Sequence, residues 1–250
     1  MRLGLYSQSR PVAAPAVRGR AAVDAATMRL LDICLALALL IALVPVILAI
    51  ALWIKLDSRG PVLYRARRAG AGGVEFAMLK FRKMYDGAAG PALTAADDTR
   101  FTRIGRLLAR TKLDEIPQLV NVLRGEMSLV GPRPEDPPFV KLEPEKFAQV
   151  LTVRPGITGL AQLAFARESE ILDPADRVGH YVSTILPQKL ALDALYATRR
   201  STGLYLAILA WTAFAVIARR DVAVNRGTGK LTRRRRTPSQ TVAAEPSRAA

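Results

Sequence analysis

The chain has 250 residues, 50% of them hydrophobic, with 37 Lys+Arg against 21 Asp+Glu and a net charge of +16. That length and apolar content exclude a wholly disordered chain and a disulfide-stapled miniprotein. The single cysteine, Cys34, and the single histidine, His180, exclude an intrachain disulfide and a Cys/His zinc site, so any metal is a hard ion held by carboxylates and phosphates.

The positive charge is unevenly spread. Residues 1–29 carry a net +4 and residues 218–250 a net +7, which leaves +5 for the rest. Both terminal segments are rich in Ala, Pro, Ser, Thr, Gly and Arg, including the run Arg233 to Arg236, and read as flexible basic flanks. No stretch interleaves aromatics with Arg and Lys as a base-stacking groove would, and no zinc-finger or RNA-binding signature is present. Nucleic acid is therefore not the expected partner, whereas anionic lipid is.

The first predicted element is the uncharged run from Ile33 to Ile54, ICLALALLIALVPVILAIALWI, long enough to cross a bilayer as a helix. It lacks the cleavage site and the short apolar core of a signal peptide. Pro45 removes a backbone donor near its middle, so a bend is expected around Ile41 to Pro45. Basic residues flank the run on both sides, before it and again at Lys55, Arg59, Arg65, Arg67 and Arg68. Positive flanks favour the cytoplasm, so a re-entrant hairpin and a kinked crossing stand level on physics alone.

Next, Val62 to Arg65 and Glu75 to Met84 read as two short strands joined by the Gly70 to Gly73 turn. Arg103 to Arg110 reads as a basic amphipathic helix with Ile104, Leu107 and Leu108 on one face, suited to a membrane surface or simply a solvated face. In Leu113-Asp-Glu-Ile-Pro-Gln-Leu-Val-Asn-Val-Leu-Arg-Gly125, Pro117 marks a helix's first turn and Gly125 its stop. Asp114 and Glu115 thus fall at or beside a helix N-terminus, where the dipole favours their ionised forms. A carboxylate there can be a cap, a magnesium ligand or a nucleophile, and capping is the commoner role.

Gly131-Pro-Arg-Pro134 and Arg154-Pro-Gly156 are rigid turns that present Arg133 and Arg154, and with Lys80 and Arg82 they supply candidate phosphate clamps. Clamps plus one acidic pair are compatible with magnesium-assisted phosphoryl transfer. Neither GxxxxGK[ST] nor GxGxxG occurs, which argues against an ordinary nucleotide triphosphatase or a dinucleotide fold. Finally, Leu204 to Ile217 is apolar, too short to span, and bracketed by paired arginines. It is expected to be an in-plane interfacial helix, with a packed core helix as the plain alternative.

Lys55-Leu-Asp-Ser-x-Gly-Pro61, Lys80-Phe-Arg82-x-Met84, Leu113-Asp-Glu-x-Pro-Gln-Leu-x-Asn-Val-Leu-x-Gly-Glu-Met-Ser-Leu-Val-Gly-Pro-Arg-Pro134 and Arg154-Pro-Gly-Ile-Thr-Gly159 resemble, in order, the bacterial sugar transferases called monotopic phosphoglycosyl transferases, in their minimal form. The likeness covers about residues 28–220. It implies an α+β, mainly helical, membrane-associated catalytic domain with an N-terminal re-entrant helix-break-helix, a small β-hairpin and interfacial amphipathic helices. The organisation would be a basic flank (1–28), the membrane helix (29–56), the catalytic domain (57–220) and a basic disordered tail (221–250).

The implied reaction moves a sugar-1-phosphate from a UDP-sugar to a polyprenyl (undecaprenyl) phosphate with release of UMP, initiating exopolysaccharide, O-antigen or glycoprotein-glycan assembly on the cytoplasmic face of the bacterial inner membrane. Carried over, Asp114 is the nucleophile that forms a covalent phosphosugar, Asp114 and Glu115 hold Mg2+, and Lys80, Arg82, Arg110, Lys112, Arg133 and Arg154 meet substrate phosphates. Two departures stand out. Val44 replaces the serine usual before Pro45, and Ala109 and Lys112 replace a basic residue and a serine ahead of the acidic pair. The sugar, the glycan pathway and homodimerisation are left open by the sequence. A non-catalytic basic membrane adaptor is the competing reading.

Overall fold

In the computed structural model, residues 18–90, 98–166, 171, 173, 176–218 and 220–233 are described, so most of both basic flanks lies outside the described residues. Helix α1 spans Arg18–Asp57 with Pro45 inside it. Helical structure is continuous through the proline, so the break expected there does not interrupt the helix: Pro45 removes one backbone donor without ending the run. It is long and apolar enough to cross a membrane, and only 11% of its most apolar window is buried against protein, unlike the mostly buried core helix of a soluble protein.

Both flanks of the apolar run dock on the rest of the chain. On the N-terminal side, Arg29 donates to the carbonyls of Val122 (2.7 Å) and Leu123 (3.1 Å). Asp32 is buried and accepts from Ser128 Oγ, the Leu129 N–H and Tyr205 Oη. On the C-terminal side, Ile50 and Ile54 pack with Phe81, Ile104 and Leu108, and Asp57 accepts from the Ile104 N–H at 3.2 Å. Between these anchors Leu37, Ile41, Val44 and Leu48 are exposed.

The expected hairpin forms between β1 (Leu63–Ala69) and β2 (Glu75–Phe81), in register from Leu63↔Phe81 to Ala69↔Glu75. Gly72 and Gly73 take positive φ in its turn, a conformation that glycine adopts without a Cβ penalty. Helix α2 (Arg103–Thr111) is capped by Thr102, whose hydroxyl accepts from the Gly105 N–H. Ile104 and Leu108 are buried as expected, but Leu107 is 45% exposed and lies off the buried face. Helix α3 (Gln118–Arg124) ends at Gly125 in the left-handed region.

A parallel pair, β3 (Ser128–Val130) with β4 (Gly156–Thr158), brackets two short helices, α4 (Pro137–Leu142) and α5 (Pro144–Val150). Then come α6 (Leu160–Ala164) and α7 (Arg177–His180), which continues through a wide turn into α8 (Leu186–Arg199). Helix α9 (Thr202–Ala218) buries Tyr205 and Ile208 while leaving Leu206, Val216 and Ile217 exposed.

The segment from 221 onward, expected to be a disordered tail, instead begins with a hairpin of β5 (Val222–Val224) and β6 (Leu231–Arg233). Its apolar alternation joins the main core beside Leu160 and Leu163, and Asn225 Oδ1 accepts from the Gly227 and Thr228 N–H groups to close the turn. The basic composition of the region masked this short alternating pattern.

Candidate active site

The site is built where α2, α3 and β2 meet. Lys112 adopts φ 61, which stops α2 and turns the chain into a single 3-10 turn, Leu113–Glu115. Asp114 and Glu115 therefore precede α3, which opens at Pro117 without any side-chain cap. The capping role is thus not the one these acids take. Asn121, fully buried on α3, locks the turn against β2: its Oδ1 accepts from the Leu79 N–H (2.9 Å) and its Nδ2 donates to the Ala77 carbonyl (2.8 Å). This places the acidic pair beside the end of β2, where the basic residues lie.

Lys80 Nζ is 3.0 Å from Glu115 Oε1, and Arg133 Nη2 is 3.5 Å from the same oxygen. Burial by itself raises the Glu115 carboxyl, but the charges of Lys80, Arg133 and Lys112 and the Lys80 hydrogen bond outweigh it and hold it well below the usual carboxylate range. Burial also lowers the Lys80 ammonium, against the pull of Glu115. Asp114 is 1% exposed. Lys83 Nζ lies 3.2 Å from its Oδ2, yet that oxygen is buried without a hydrogen bond. A carboxylate oxygen without a hydrogen bond leaves room for a cation or an electrophile to meet it.

Arg133 is held in place by the β3/β4 junction. The Gly131 N–H donates to the Thr158 carbonyl (2.9 Å) and the Gly156 N–H to the Pro132 carbonyl (2.7 Å). Behind this loop lies a second charged layer that the sequence did not reveal. Glu135 Oε1 accepts from Tyr181 Oη (2.7 Å) and Lys189 Nζ (2.9 Å), and Asp193 is buried beneath the Arg133 backbone, whose N–H it accepts.

Burial pushes the Asp193 carboxyl well above its ordinary value and Glu135 adds to the shift, against Lys189 and Arg133. Because the folded state holds this proton more tightly than the unfolded chain, Asp193 lowers stability as pH rises through the unfolded value near 3.8 toward the folded one. Asp193→Asn keeps an acceptor for the Arg133 N–H, so its thermal midpoint in detergent is expected to exceed wild type at pH 8 and converge with it toward pH 4. A wild-type midpoint equal to or above that of the variant at pH 8 would contradict the assignment.

The remaining basic residues separate into two groups. Lys80 and Arg133, expected at substrate phosphates, reach Glu115 of the acidic pair. Arg82 does not: it is 4% exposed, and its guanidinium donates to the carbonyls of Ser58 (2.8 Å) and Arg59, clamping the turn that follows α1. It is not brought to the acids beside Lys80, because β2 ends at Phe81 and the strand alternation that would align the two ends there too. Arg110, Lys112 and Arg154 are exposed and make no ion pair with the acids. Lys83, passed over as the unspecified position between Arg82 and Met84, is the cation nearest Asp114.

Among the described residues no group of three or more His, Cys, Asp or Glu side chains converges to hold a metal. An ion here would need ligands from a bound phosphate as well as from the acids.

With the acidic turn and its cations established, the relatives become informative. The family model for bacterial sugar transferases matches residues 23–219, most of the chain. The chain belongs to the bacterial sugar transferase family. Among the relatives of this sugar transferase is a UDP-glucose:undecaprenyl-phosphate glucose-1-phosphate transferase of Caulobacter vibrioides, 47% identical over 150 residues that cover 58% of this chain and 55% of the relative. A transferase of the same name from Xanthomonas campestris pv. campestris is 39% identical over 197 residues, 76% of this chain and 38% of the relative. An exopolysaccharide production protein of Rhizobium leguminosarum bv. phaseoli is 42% identical over 165 residues, 62% of this chain and 80% of the relative. The sugar transferase thus spans about half or less of the first two.

Proposed function

We propose that the chain transfers a sugar-1-phosphate from a UDP-sugar to undecaprenyl phosphate at the cytoplasmic face of the bacterial inner membrane, through a covalent aspartyl phosphosugar. The observation that carries this reading is the buried Asp114 carboxylate, whose Oδ2 lacks a hydrogen bond while Lys80, Lys83 and Arg133 surround the acidic turn. A carboxylate is a weak nucleophile in water. Buried, oriented and facing a charge-neutralised phosphate, it can attack.

In the first half-reaction an Asp114 oxygen bonds to the sugar-bearing phosphorus, and the bond from that phosphorus to the bridging oxygen breaks. UMP leaves with the bridging oxygen and its electron pair. In the second, a phosphate oxygen of the lipid attacks the same phosphorus, the acyl-phosphate bond breaks, and Asp114 returns as a carboxylate. Arg133 and Lys80 suit the phosphate oxygens, with Lys80 also orienting Glu115.

The acids fit a magnesium ion, since Asp114 Oδ2 is an unsatisfied anionic oxygen and the two contacts to Glu115 both fall on Oε1. Asp114 and Glu115 would hold it, and it would offset the charge of the diphosphate.

The membrane reading is re-entrant. Both flanks of the apolar run dock on one body, through Arg29 and Asp32 on one side and Ile54 and Asp57 on the other, which favours placing both flanks on one side of the bilayer. A crossing would separate them by about 30 Å of hydrocarbon. On a Cys34→Ala background, Val23→Cys and Val74→Cys are expected to react with an impermeant maleimide from the cytoplasmic side only. Labelling of the two from opposite sides would reject the re-entrant reading.

Release of UMP from a panel of UDP-sugars by membranes supplied with undecaprenyl phosphate and magnesium tests the reaction. No release from any of them would favour the adaptor reading.

A further inference from the structure

A buried carboxylate nucleophile poses a physical conflict. Left unpaired at 1% exposure, the Asp114 carboxylate would incur a large desolvation cost. Paired permanently, it would be blunted as a nucleophile. Lys83 resolves this conflict by its geometry.

Its backbone is fixed. The Thr102 N–H donates to the Lys83 carbonyl at 3.1 Å, and Gly105 of α2 packs so closely that a Cβ there would overlap that carbonyl. The side chain is not fixed in the same way. It is 26% exposed against 11% for Lys80, and its ammonium, 5.9 Å from the Phe101 ring centre, contacts Asp114 Oδ2 without hydrogen-bond geometry. Lys80, by contrast, makes a true hydrogen bond to Glu115, which Arg133 also engages.

We propose that Lys83 is a further catalytic residue, a movable counter-ion that neutralises Asp114 at rest and swings onto the diphosphate when the UDP-sugar enters, freeing the Asp114 carboxylate for attack. This rests on the phosphotransfer reading above. The incoming diphosphate carries more negative charge than one carboxylate, and a lysine stem can follow it while the anchored backbone stays put. On the diphosphate the ammonium offsets charge that builds on the bridging oxygen as UMP departs. No proton changes hands in this step.

The experiment is single-turnover UMP release without lipid acceptor, which isolates the first half-reaction. Lys83→Gln is expected to slow it about 100-fold, the scale for losing one charge-stabilising donor, with the steady-state loss falling mainly in kcat rather than KM. Lys83→Arg, which keeps the charge, is expected to recover most of the rate. An unchanged rate in Lys83→Gln, or equal losses in both variants, would overturn the assignment. Wild-type protein that releases no UMP from any UDP-sugar would instead overturn the phosphotransfer reading, a separate outcome.

Discussion

Asp114→Asn is expected to lower UMP release by at least about 1,000-fold, because the amide cannot form the acyl-phosphate bond and residual binding groups alone do not replace a nucleophile. The substitution is nearly isosteric. It loses the ion pair with Lys83 at 3.2 Å, but the side chain packs in the same buried turn, so the protein should remain folded. Two measurements separate chemistry from collapse: UMP release with the best UDP-sugar of the panel, and the unfolding midpoint in detergent. With a radiolabelled sugar and no lipid acceptor, wild type should retain label through denaturation and the variant should not. Release within about 10-fold of wild type would exclude Asp114 as the nucleophile.

Gly156→Ala is expected to have the largest effect on stability. A Cβ at Gly156 would overlap the Gly131 nitrogen and approach the Gly131 Cα and the Val130 carbonyl carbon, all backbone atoms that cannot yield as a side-chain tip does. Making room means parting β3 from β4. The threatened bonds are Ser128 N–H to Pro155 O, Gly131 N–H to Thr158 O and Gly156 N–H to Pro132 O. The expected loss is about 3 kcal/mol, and Arg133, carried by the same junction, should leave Glu115, so activity falls with stability.

Gly203→Ala is the control. Nothing lies within 4 Å of a Cβ there, and Gly203 sits in helix α9, so alanine should be neutral or stabilising by up to about 1 kcal/mol. Denaturant midpoints of the two variants, taken with their slopes, decide the matter. A Gly156→Ala midpoint equal to wild type would mean that the β3/β4 contact is not as close as described.

The local elements were legible because their signals are short-range. Glycines at the β1–β2 turn, Pro117 and Gly125 around α3, and the uncharged run of α1 each specify backbone conformation within a few residues. The β5–β6 hairpin was hidden for the opposite reason. Its three-residue strands carry little signal of their own and are stabilised by docking against Leu160 and Leu163, far away in sequence.

At the site the acidic pair and Arg133 could be read from the chain, as could Lys80. Roles that depend on where a side chain points could not. Adjacent basic residues on Lys80-Phe-Arg82-Lys83 have three different tasks: Lys80 pairs with Glu115, Arg82 clamps Ser58 and Arg59, and Lys83 faces Asp114. Asp193 and Glu135 gave no signal, since burial of a charge is a property of what packs over it.

The sequence by itself therefore determined the apolar helix, the hairpin, the helix stops and the residue types needed for phosphate chemistry, because these follow from propensity, periodicity and composition. Only the tertiary structure decided which cation meets which carboxylate and which arginine is structural. It also decided that both flanks of α1 rest on one body. Those outcomes depend on contacts between residues up to 178 positions apart, as between Asp24 and Thr202, and no local pattern encodes them.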